Sequence, residues 1–337
     1  MEAVDVRGRF VWHQLMTRDV AGAKKFYSKL IGWKTIPWPL DPAYTVCHAD
    51  VGPVAGIMEI PGDVPAEVPA HWIQYIGTRD VDGTAEAAVR AGGSILKAPE
   101  DMQGAGRYAL LKDPQGATFA VINPENARAE SDGVPPLGTF SWHELATTDN
   151  EAAFAFYSGL FGWDAITRMD MGPNGVYLIF GQNGKQRGGM YIKPNDMPAP
   201  PNWMPYASVP SADKGYALAR STGAREMMAP MDVPGGSRIA AVIDPAGAMF
   251  AIHSMAAVPA AEQPASKPKA KAKAKAKVKP KPKAAAKPRT KTVAKKKSAA
   301  RKKPAAKKKV VRKVAKKAPR KTAARKKPAK KAARRKK

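Results

Sequence analysis

Two tryptophan–histidine pairs, Trp12-His13 and Trp142-His143, hold the first side chains of the sequence that could do chemistry. An imidazole can bind a divalent cation or transfer a proton near neutral pH. Neither histidine lies in the histidine–glutamate spacing of a local zinc motif. On a strand, His13 lies on the same face as the apolar Leu15, and His143 on the same face as Leu145. We therefore expect both histidines to face a helix as structural residues. A role as ligand or base is the alternative.

The other face of the same two stretches carries a second set of candidates. Trp12 and Gln14 share one parity, as do Trp142 and Glu144. An aromatic ring beside a polar group is typical of an apolar pocket in which a few polar groups orient the ligand. The alternative is that these side chains only fill space. Glu144 is also a candidate catalytic base, because a carboxylate beside a tryptophan can have a raised pKa.

Two arginines complete the candidate pocket. Arg107 and Arg238 occupy matching positions after a glycine, at the start of a predicted strand in each half of the chain. A guanidinium can bind an anionic group of a ligand. It can equally pair with a carboxylate across the sheet, and both interpretations stay open.

These residues belong to an internal repeat. Residues 10–33, FVWHQLMTRDVAGAKKFYSKLIGW, recur 130 positions later as residues 140–163, FSWHELATTDNEAAFAFYSGLFGW. Each copy predicts a short strand, an aspartate that caps a helix, and a Gly-Trp pair that closes it. The stretch after the first copy, IPWPLDP from Ile36 to Pro42, predicts a turn. Each half holds a second strand–helix unit, so the sequence predicts four βαβββ modules.

The modules predict an α+β fold with two tandem domains and a tail. We expect the first domain in residues 1–125, a polar Pro/Gly-rich linker in residues 126–137, the second domain in residues 138–256 and a disordered basic tail in residues 257–337.

The order of motifs resembles a known superfamily. A strand, then D-x-x-x-A-x-x-F-Y-x-x-x-x-G-W, then G-R and D-P-x-G before a last strand, is similar to the vicinal oxygen chelate proteins. These include glyoxalase I, extradiol dioxygenases and bleomycin-resistance proteins. The resemblance covers Arg7 to about Met255. It implies two tandem domains, each forming a concave cup.

The resemblance also implies where a divalent metal would be bound. Metal-dependent members project His, Gln or Glu from the first and last strands of each module. Carried over by register, these positions fall at Trp12, Trp142, about Ile73 and Met204, Ala120, Ala251, and near Met58 and Tyr191. None suits a divalent cation, so we expect no metal and no other cofactor. A one-residue slip would bring in His13, His143 and Glu59 as the alternative, but it would turn every neighbouring side chain to the other face.

The net charge of +29 is concentrated in the tail. Residues 267–337 contain 36 Lys and Arg and no Asp or Glu, whereas the rest of the chain contains 21 basic and 28 acidic residues. The tail resembles those of linker histones, and its composition predicts binding to DNA or another polyanion through phosphate neutralisation. It has no apolar anchors for a membrane. The single Cys47 and the lack of an apolar signal segment predict a cytoplasmic protein, and the basic tail predicts that it is associated with the nucleoid.

The expected function follows from these two parts. The sequence predicts a metal-free body that binds a small molecule and is tethered to nucleic acid by the tail. The alternative is a glyoxalase-like or dioxygenase-like lyase or oxidoreductase that the basic tail localises.

Overall fold

The structure of the chain, a computed structural model, describes residues 4–129, 133–197 and 199–255. The basic tail predicted at residues 257–337 lies outside the described residues. Two halves with the same order of elements make up the described part.

The first domain contains β1 (Phe10–Thr17), α1 (Val20–Ile31), β2 (Lys34–Trp38), β3 (Asp41–Ala49), β4 (Gly52–Glu59), β5 (His71–Gly77), α2 (Val81–Arg90), β6 (Ser94–Met102), β7 (Gly106–Lys112) and β8 (Thr118–Pro124). The second contains β9 (Phe140–Thr147), α3 (Asn150–Phe161), β10 (Asp164–Asp170), a single 3-10 turn (Gly172–Asn174), β11 (Val176–Gln182), β12 (Lys185–Ile192), β13 (Asn202–Ser208), α4 (Ala212–Ser221), β14 (Arg225–Val233), β15 (Ser237–Ile243) and β16 (Met249–Ser254). The α+β fold of tandem βαβββ modules is confirmed.

Each domain forms one eight-stranded sheet. The strand order is β2-β3-β4-β1-β5-β8-β7-β6 in the first domain and β10-β11-β12-β9-β13-β16-β15-β14 in the second. The first strand of each domain, β1 or β9, therefore lies at the centre of its sheet. It runs antiparallel to the first strand of the second module, β5 or β13, which joins the two modules.

One local prediction is confirmed only in part. The stretch from Ile36 to Pro42 was expected to turn, and it does so at Pro39 and Leu40, but its first residues belong to the strand β2, Lys34–Trp38. Proline cannot donate a hydrogen bond to a neighbouring strand, so within sheets it is confined mostly to edges. Pro37 lies in such an edge strand, since β2 pairs only with β3.

The first helix of each domain begins and ends at the expected residues. Asp19 caps α1 by accepting a hydrogen bond from the Gly22 amide at 2.8 Å. Gly32 ends the helix in the left-handed region, with φ of 87°, where a side chain would be strained. Asp149 and Gly162 do the same for α3. Among the described residues, no helix combines the length and the apolar composition needed to cross a membrane.

The hydrophobic cores are shared between the domains. Phe26 and Tyr27 of α1 belong to one core together with Val242 and Phe250 of β15 and β16. The second core joins α2 and β8 of the first domain to α3 and β11 of the second in the same way. The first module of each domain thus packs against the second module of the other, and the buried sides of the helices contribute to both cores. We call the face of each sheet that points away from the helices its open face.

Candidate functional site

A chain of hydrogen bonds surrounds Glu144 on the open face of the second domain. The Tyr177 hydroxyl donates to Oε1 of Glu144 at 2.8 Å, and the Tyr206 hydroxyl donates to Oε2 at 2.7 Å. The Trp142 indole donates in turn to the Tyr177 oxygen at 3.0 Å. Three strands, β9, β11 and β13, therefore bring their side chains to one carboxylate.

A glycine beside Glu144 makes this arrangement possible. Glu144 pairs in register with Gly189 of the parallel strand β12. A Cβ atom at Gly189 would overlap the Tyr177 hydroxyl. The absence of a side chain at Gly189 thus leaves the space in which Tyr177 reaches the carboxylate. Gly56 and Tyr44 have the same relation in the first domain.

Burial sets the charge state of this site. It raises the pKa of Glu144 above the usual range, and the hydrogen bonds from Tyr206 and Tyr177 oppose that rise only in part. Burial also raises the pKa of both tyrosines well above their usual value, so they remain protonated donors. In the described part of the chain, Glu144 forms no salt bridge. It is a partly buried carboxylate held by neutral groups.

The first domain repeats the frame with a neutral centre. Gln14 replaces Glu144, and its Oε1 accepts from Tyr75 at 3.0 Å and from Tyr44 at 3.4 Å. The Trp12 indole donates to the Tyr44 hydroxyl at 2.8 Å. The Gln14 amide nitrogen contacts the Met16 sulfur at 2.9 Å. The centres of the two open faces therefore differ by one ionisable group in the same frame. The first face also carries the Lys97–Glu100 ion pair, whose two members both contact the Tyr108 hydroxyl.

Apolar side chains cover the rest of both open faces. Those of the first domain include Trp12, Met58, Ile73, Tyr75, Met102, Tyr108 and Ala120. Those of the second include Trp142, Met204, Tyr206, Met228, Ile239, Met249 and Ala251. Several of the methionines and both tryptophans are partly exposed, so a ligand can reach them.

The side chains present do not fit a divalent metal. The carried-over ligand positions Trp12, Ile73 and Ala120 lie together on the open face of the first domain, and they offer no oxygen or imidazole donor. Trp142, Met204 and Ala251 occupy the matching places in the second domain. Within residues 4–129, 133–197 and 199–255, no three His, Cys, Asp or Glu residues are grouped as a metal site.

The two arginines of the predicted pocket lie elsewhere. Arg107 forms a bidentate pair with Asp82 of α2, at 2.6 and 2.8 Å, and also contacts Asp101. Arg238 repeats this with Asp213 of α4 and with Asp232. Strand alternation turns Arg107 away from the open face that its neighbour Tyr108 joins. Of the two interpretations, binding of a ligand anion or pairing with a carboxylate, the structure shows the carboxylate pair.

The two histidines meet at the junction of the domains. His13 and His143 are buried, with their Nε2 atoms 2.8 Å apart. The His13 ring stacks on Phe140 at 3.6 Å, and the His143 ring stacks on Phe10 at 3.7 Å. They border a cleft of about 620 Å³ between the domains. Both point away from the open faces, and no described carboxylate joins them in a metal site.

The histidine pair is held uncharged. Burial lowers the pKa of His13 well below its usual value and that of His143 to about 3. The carbonyl of Arg187 lies 3.1 Å from Nδ1 of His143, and the carbonyl of Val54 favours protonation of His13. Each neutral ring carries one N–H group, so the pair has two. The two carbonyls and the bond between the rings would together use three. The pair therefore lacks one proton for full hydrogen bonding.

Sequence reasoning missed the four tyrosines that hold Gln14 and Glu144. Tyr75 and Tyr206 end the matching segments HWIQY and NWMPY, so the repeat contained a signal for this pair. Tyr44 and Tyr177 are 133 residues apart, whereas the first segments of the repeat are 130 residues apart. That difference hid their equivalence.

Comparisons with known proteins agree with this architecture. Residues 9–121 and 139–252 each match the Glyoxalase/Bleomycin resistance protein/Dioxygenase superfamily. The chain is 31% identical over 245 residues to "Putative glyoxylase CFP32" of Mycobacterium tuberculosis (strain CDC 1551 / Oshkosh), which covers 72% of this chain and 92% of that protein. It is 32% identical over 276 residues to the anthracycline biosynthesis protein DauV of Streptomyces sp. (strain C5), covering 77% of this chain and 98% of that protein.

Solved structures share the fold at much lower identity. The 2,3-dioxygenase LapB from Pseudomonas sp. KL28 matches with a TM-score of 0.55 at 11% identity, over 76% of this chain and 94% of that chain. The Mn(II)-bound glyoxalase from Novosphingobium aromaticivorans matches with a TM-score of 0.53 at 16% identity, over 74% and 82%. At such identities the likeness concerns the fold alone. With its two matched segments and its relatives at more than 30% identity, the chain belongs to the Glyoxalase/Bleomycin resistance protein/Dioxygenase superfamily.

Proposed function

We propose that the two-domain body binds a small molecule on its open faces without a resident divalent cation, and that residues 267–337 attach it to DNA or another polyanion. The observation that supports the first part is the composition of the open faces. Apolar or aromatic side chains occupy the carried-over ligand positions, and one oriented amide or carboxylate, Gln14 or Glu144, lies at the centre of each face. This is the composition of an apolar ligand site with few polar groups.

Elemental analysis and native mass spectrometry of the purified full chain test the body. We expect a divalent metal content far below one atom per chain, and a retained organic mass in at least part of the population. Addition of Mn²⁺, Fe²⁺ or Zn²⁺ is expected to leave the unfolding temperature unchanged, since the described residues group no set of metal donors that would stabilise the folded state. One tightly held metal atom per chain would contradict the metal-free proposal.

The charge of the tail supports the second part of the proposal, attachment to DNA or another polyanion. Its 36 basic residues have no acidic residue among them, whereas the remainder of the chain carries 21 basic and 28 acidic residues. Phosphate contacts release counterions. For each contact, the binding constant therefore falls by about 0.9 log units with every tenfold rise in salt concentration. The tail contains no aromatic side chain on which bases could stack. Binding should therefore show little sequence preference, and it would hold the protein at the nucleoid.

A salt titration on two unrelated duplexes tests the tail. The full chain is expected to bind both with equal affinity and with a steep loss as salt rises. A chain truncated after Ser266, checked for folding by circular dichroism, is expected to lose this binding, because its net acidic charge repels phosphates. Equal affinity of the two proteins, or a salt-independent affinity, would contradict the proposal.

A second candidate function is enzymatic, with Glu144 as a general base. The partly buried carboxylate has a raised pKa and faces an open apolar surface, which suits abstraction of a proton next to a carbonyl group. Solvent deuterium exchange into 2-tetralone, followed by NMR, tests this chemistry. Glu144→Gln is expected to abolish any exchange that the wild-type protein catalyses. Exchange at the uncatalysed rate with the wild-type protein would favour the binding function.

A further inference from the structure

The two open faces are built on the same frame and differ in charge. In each, a tryptophan indole donates to a tyrosine hydroxyl, and two tyrosine hydroxyls donate to the central residue. That residue is Gln14 in the first domain and Glu144 in the second. A neutral amide at the centre of one frame and a carboxylate at the centre of the other indicate different ligands.

We propose that the open face of the second domain binds an organic cation, a protonated amine carried on a flat apolar body, with Glu144 as its counter-ion. This inference rests on the proposed ligand-binding role of the open faces, and it adds the chemical class of the ligand.

The first argument is the missing counter-charge. A carboxylate taken out of water is costly unless opposite charge or several hydrogen bonds replace its hydration. Glu144 receives one hydrogen bond on each oxygen, both from neutral phenols. Each carboxylate oxygen can accept a second hydrogen bond. An ammonium group supplies both the missing donors and the missing charge.

The second argument is the aromatic setting. Trp142, Tyr177 and Tyr191 are partly exposed around Glu144, and the rings of Tyr177 and Tyr191 stack at 6.4 Å with an interplanar angle of 17°. Aromatic faces attract cations, tryptophan most strongly. The partly exposed Met228 and Met249 extend the face beyond the charged centre. Methionine side chains adapt their shape to a flat apolar body.

The first domain lacks these properties for a cation. The Gln14 amide is neutral, its oxygen already accepts from Tyr75 and Tyr44, and its nitrogen contacts the Met16 sulfur. Tyr191 is replaced there by Met58 at the equivalent place. Of the two open faces, the second domain's therefore carries the proposed cation site.

Calorimetric titration of the full chain with three matched probes tests the inference. The probes are 1-naphthylmethylamine (a cation at neutral pH), 1-naphthylmethanol (neutral) and 1-naphthoate (an anion). We expect the amine to bind most tightly, at one equivalent per chain. Glu144→Gln is expected to weaken the affinity for the amine by about ten-fold or more, which corresponds to the loss of a charged hydrogen bond. It is expected to change the affinity for naphthylmethanol by less than about two-fold.

The matched variant is Gln14→Glu. Since Gln and Glu already occupy the same frame in the two domains, we expect each exchange to keep the fold. In Glu144→Gln one phenol hydroxyl must turn to accept from the amide nitrogen. Gln14→Glu is expected to add a second amine site, and the combination with Glu144→Gln is expected to move the single site to the first domain. Failure of Glu144→Gln to weaken the amine would overturn the inference.

The outcomes separate this inference from the proposed function. Binding of naphthylmethanol with no preference for the amine would overturn the cation site and leave a neutral ligand site. Binding of none of the three probes would contradict the ligand-binding role itself, and the cation inference with it. An amine preference unchanged by Glu144→Gln would place cation binding elsewhere on the chain and overturn the assignment.

The pH dependence gives an independent readout. The groups that face Glu144 are Tyr177 from β11, Tyr191 from β12 and Tyr206 from β13, which stay neutral because burial raises their pKa values. Burial and the hydrogen bonds from Tyr206 and Tyr177 determine the pKa of Glu144, and no other described titratable group contributes to it. Among the described residues of the site, Glu144 is therefore the group that we expect to titrate below neutral pH. Amine affinity is expected to fall as pH drops and Glu144 takes up a proton, and to be flat over the same range in Glu144→Gln.

Discussion

At the scale of single residues, two tyrosine hydroxyls tie the domains together. Tyr27 donates to Oδ2 of Asp244 in the other domain at 2.9 Å, and Tyr157 donates to Asp113 at 3.0 Å. Each aspartate also accepts backbone N–H groups of its own D-P-x-G turn. The aspartates thus stabilise a turn and join the second domain to the first.

Removal of one of these hydroxyls should destabilise the protein. Tyr27→Phe leaves the buried Asp244 oxygen without its donor, so we expect a loss of about 1–3 kcal/mol in the free energy of unfolding. Urea denaturation followed by circular dichroism measures it. The control is Tyr216→Phe, whose hydroxyl bonds the exposed Glu226, with an expected change below about 0.5 kcal/mol. Equal effects of the two substitutions would contradict the role of the hydroxyl.

At the scale of elements, the position of β12 beside β9 determines the site. The strands run parallel and place Gly189 opposite Glu144. The same register in the first domain places Gly56 opposite Gln14. A one-residue change of register would turn Glu144 to the helix side, so the sheet pairing and the site depend on each other.

A methyl group at Gly189 should disturb the site without breaking the sheet. Gly189→Ala forces the Tyr177 hydroxyl away from Glu144, so we expect a loss of stability of about 1–3 kcal/mol and a changed near-ultraviolet circular dichroism spectrum. The control is Gly159→Ala in α3, where an added Cβ meets nothing within 4 Å. It should stabilise the helix by about 0.5–1 kcal/mol. A Gly189→Ala protein with wild-type stability and spectrum would show that Tyr177 does not need this space.

At the scale of the whole molecule, the two domains meet symmetrically around His13 and His143. The indole of Trp33 donates to the carbonyl of Gly138 at 2.7 Å, and that of Trp163 donates to Gly8 at 2.8 Å. Each Gly-Trp motif therefore binds the segment that enters the first strand of the other domain. The same motif that ends a helix also joins the domains.

The histidine pair should make stability depend on pH. Unfolded histidines titrate near 6.5, whereas burial lowers the folded pKa of His13 and brings that of His143 to about 3. Between these values the unfolded state binds protons that the folded state does not. Stability should therefore fall as pH drops below 6.5, by up to about 1.4 kcal/mol per pH unit for each histidine.

Urea denaturation at pH 7 and pH 5 measures this dependence. A His13→Asn, His143→Asn double variant is expected to be less stable at pH 7, because it loses the ring stacking on Phe10 and Phe140. It should lose less further stability on going to pH 5. An equal loss in both proteins would show that the pair does not control the acid response.

Local signals in the sequence predicted the elements and their order. Asp19 and Gly32 bound α1 as capping chemistry requires, and the alternation on β1 separated Trp12 and Gln14 from His13. The repeat showed that the halves share one architecture. The first two inferences succeeded because capping and strand alternation depend on residues close together in the chain, and the third because similar segments fold alike. The proline-containing strand β2 was missed because its edge position is set by the completed sheet.

Only the tertiary structure decided which surfaces meet. The repeat makes the halves alike, but it does not say which module of one domain packs on which module of the other. Tyr27 and Asp244 are 217 residues apart, and His13 meets His143 only because the domains associate about that point. The same holds for the tyrosines around Glu144, which come from separate strands. Such contacts result from the packing of whole surfaces, which no local pattern of side chains encodes.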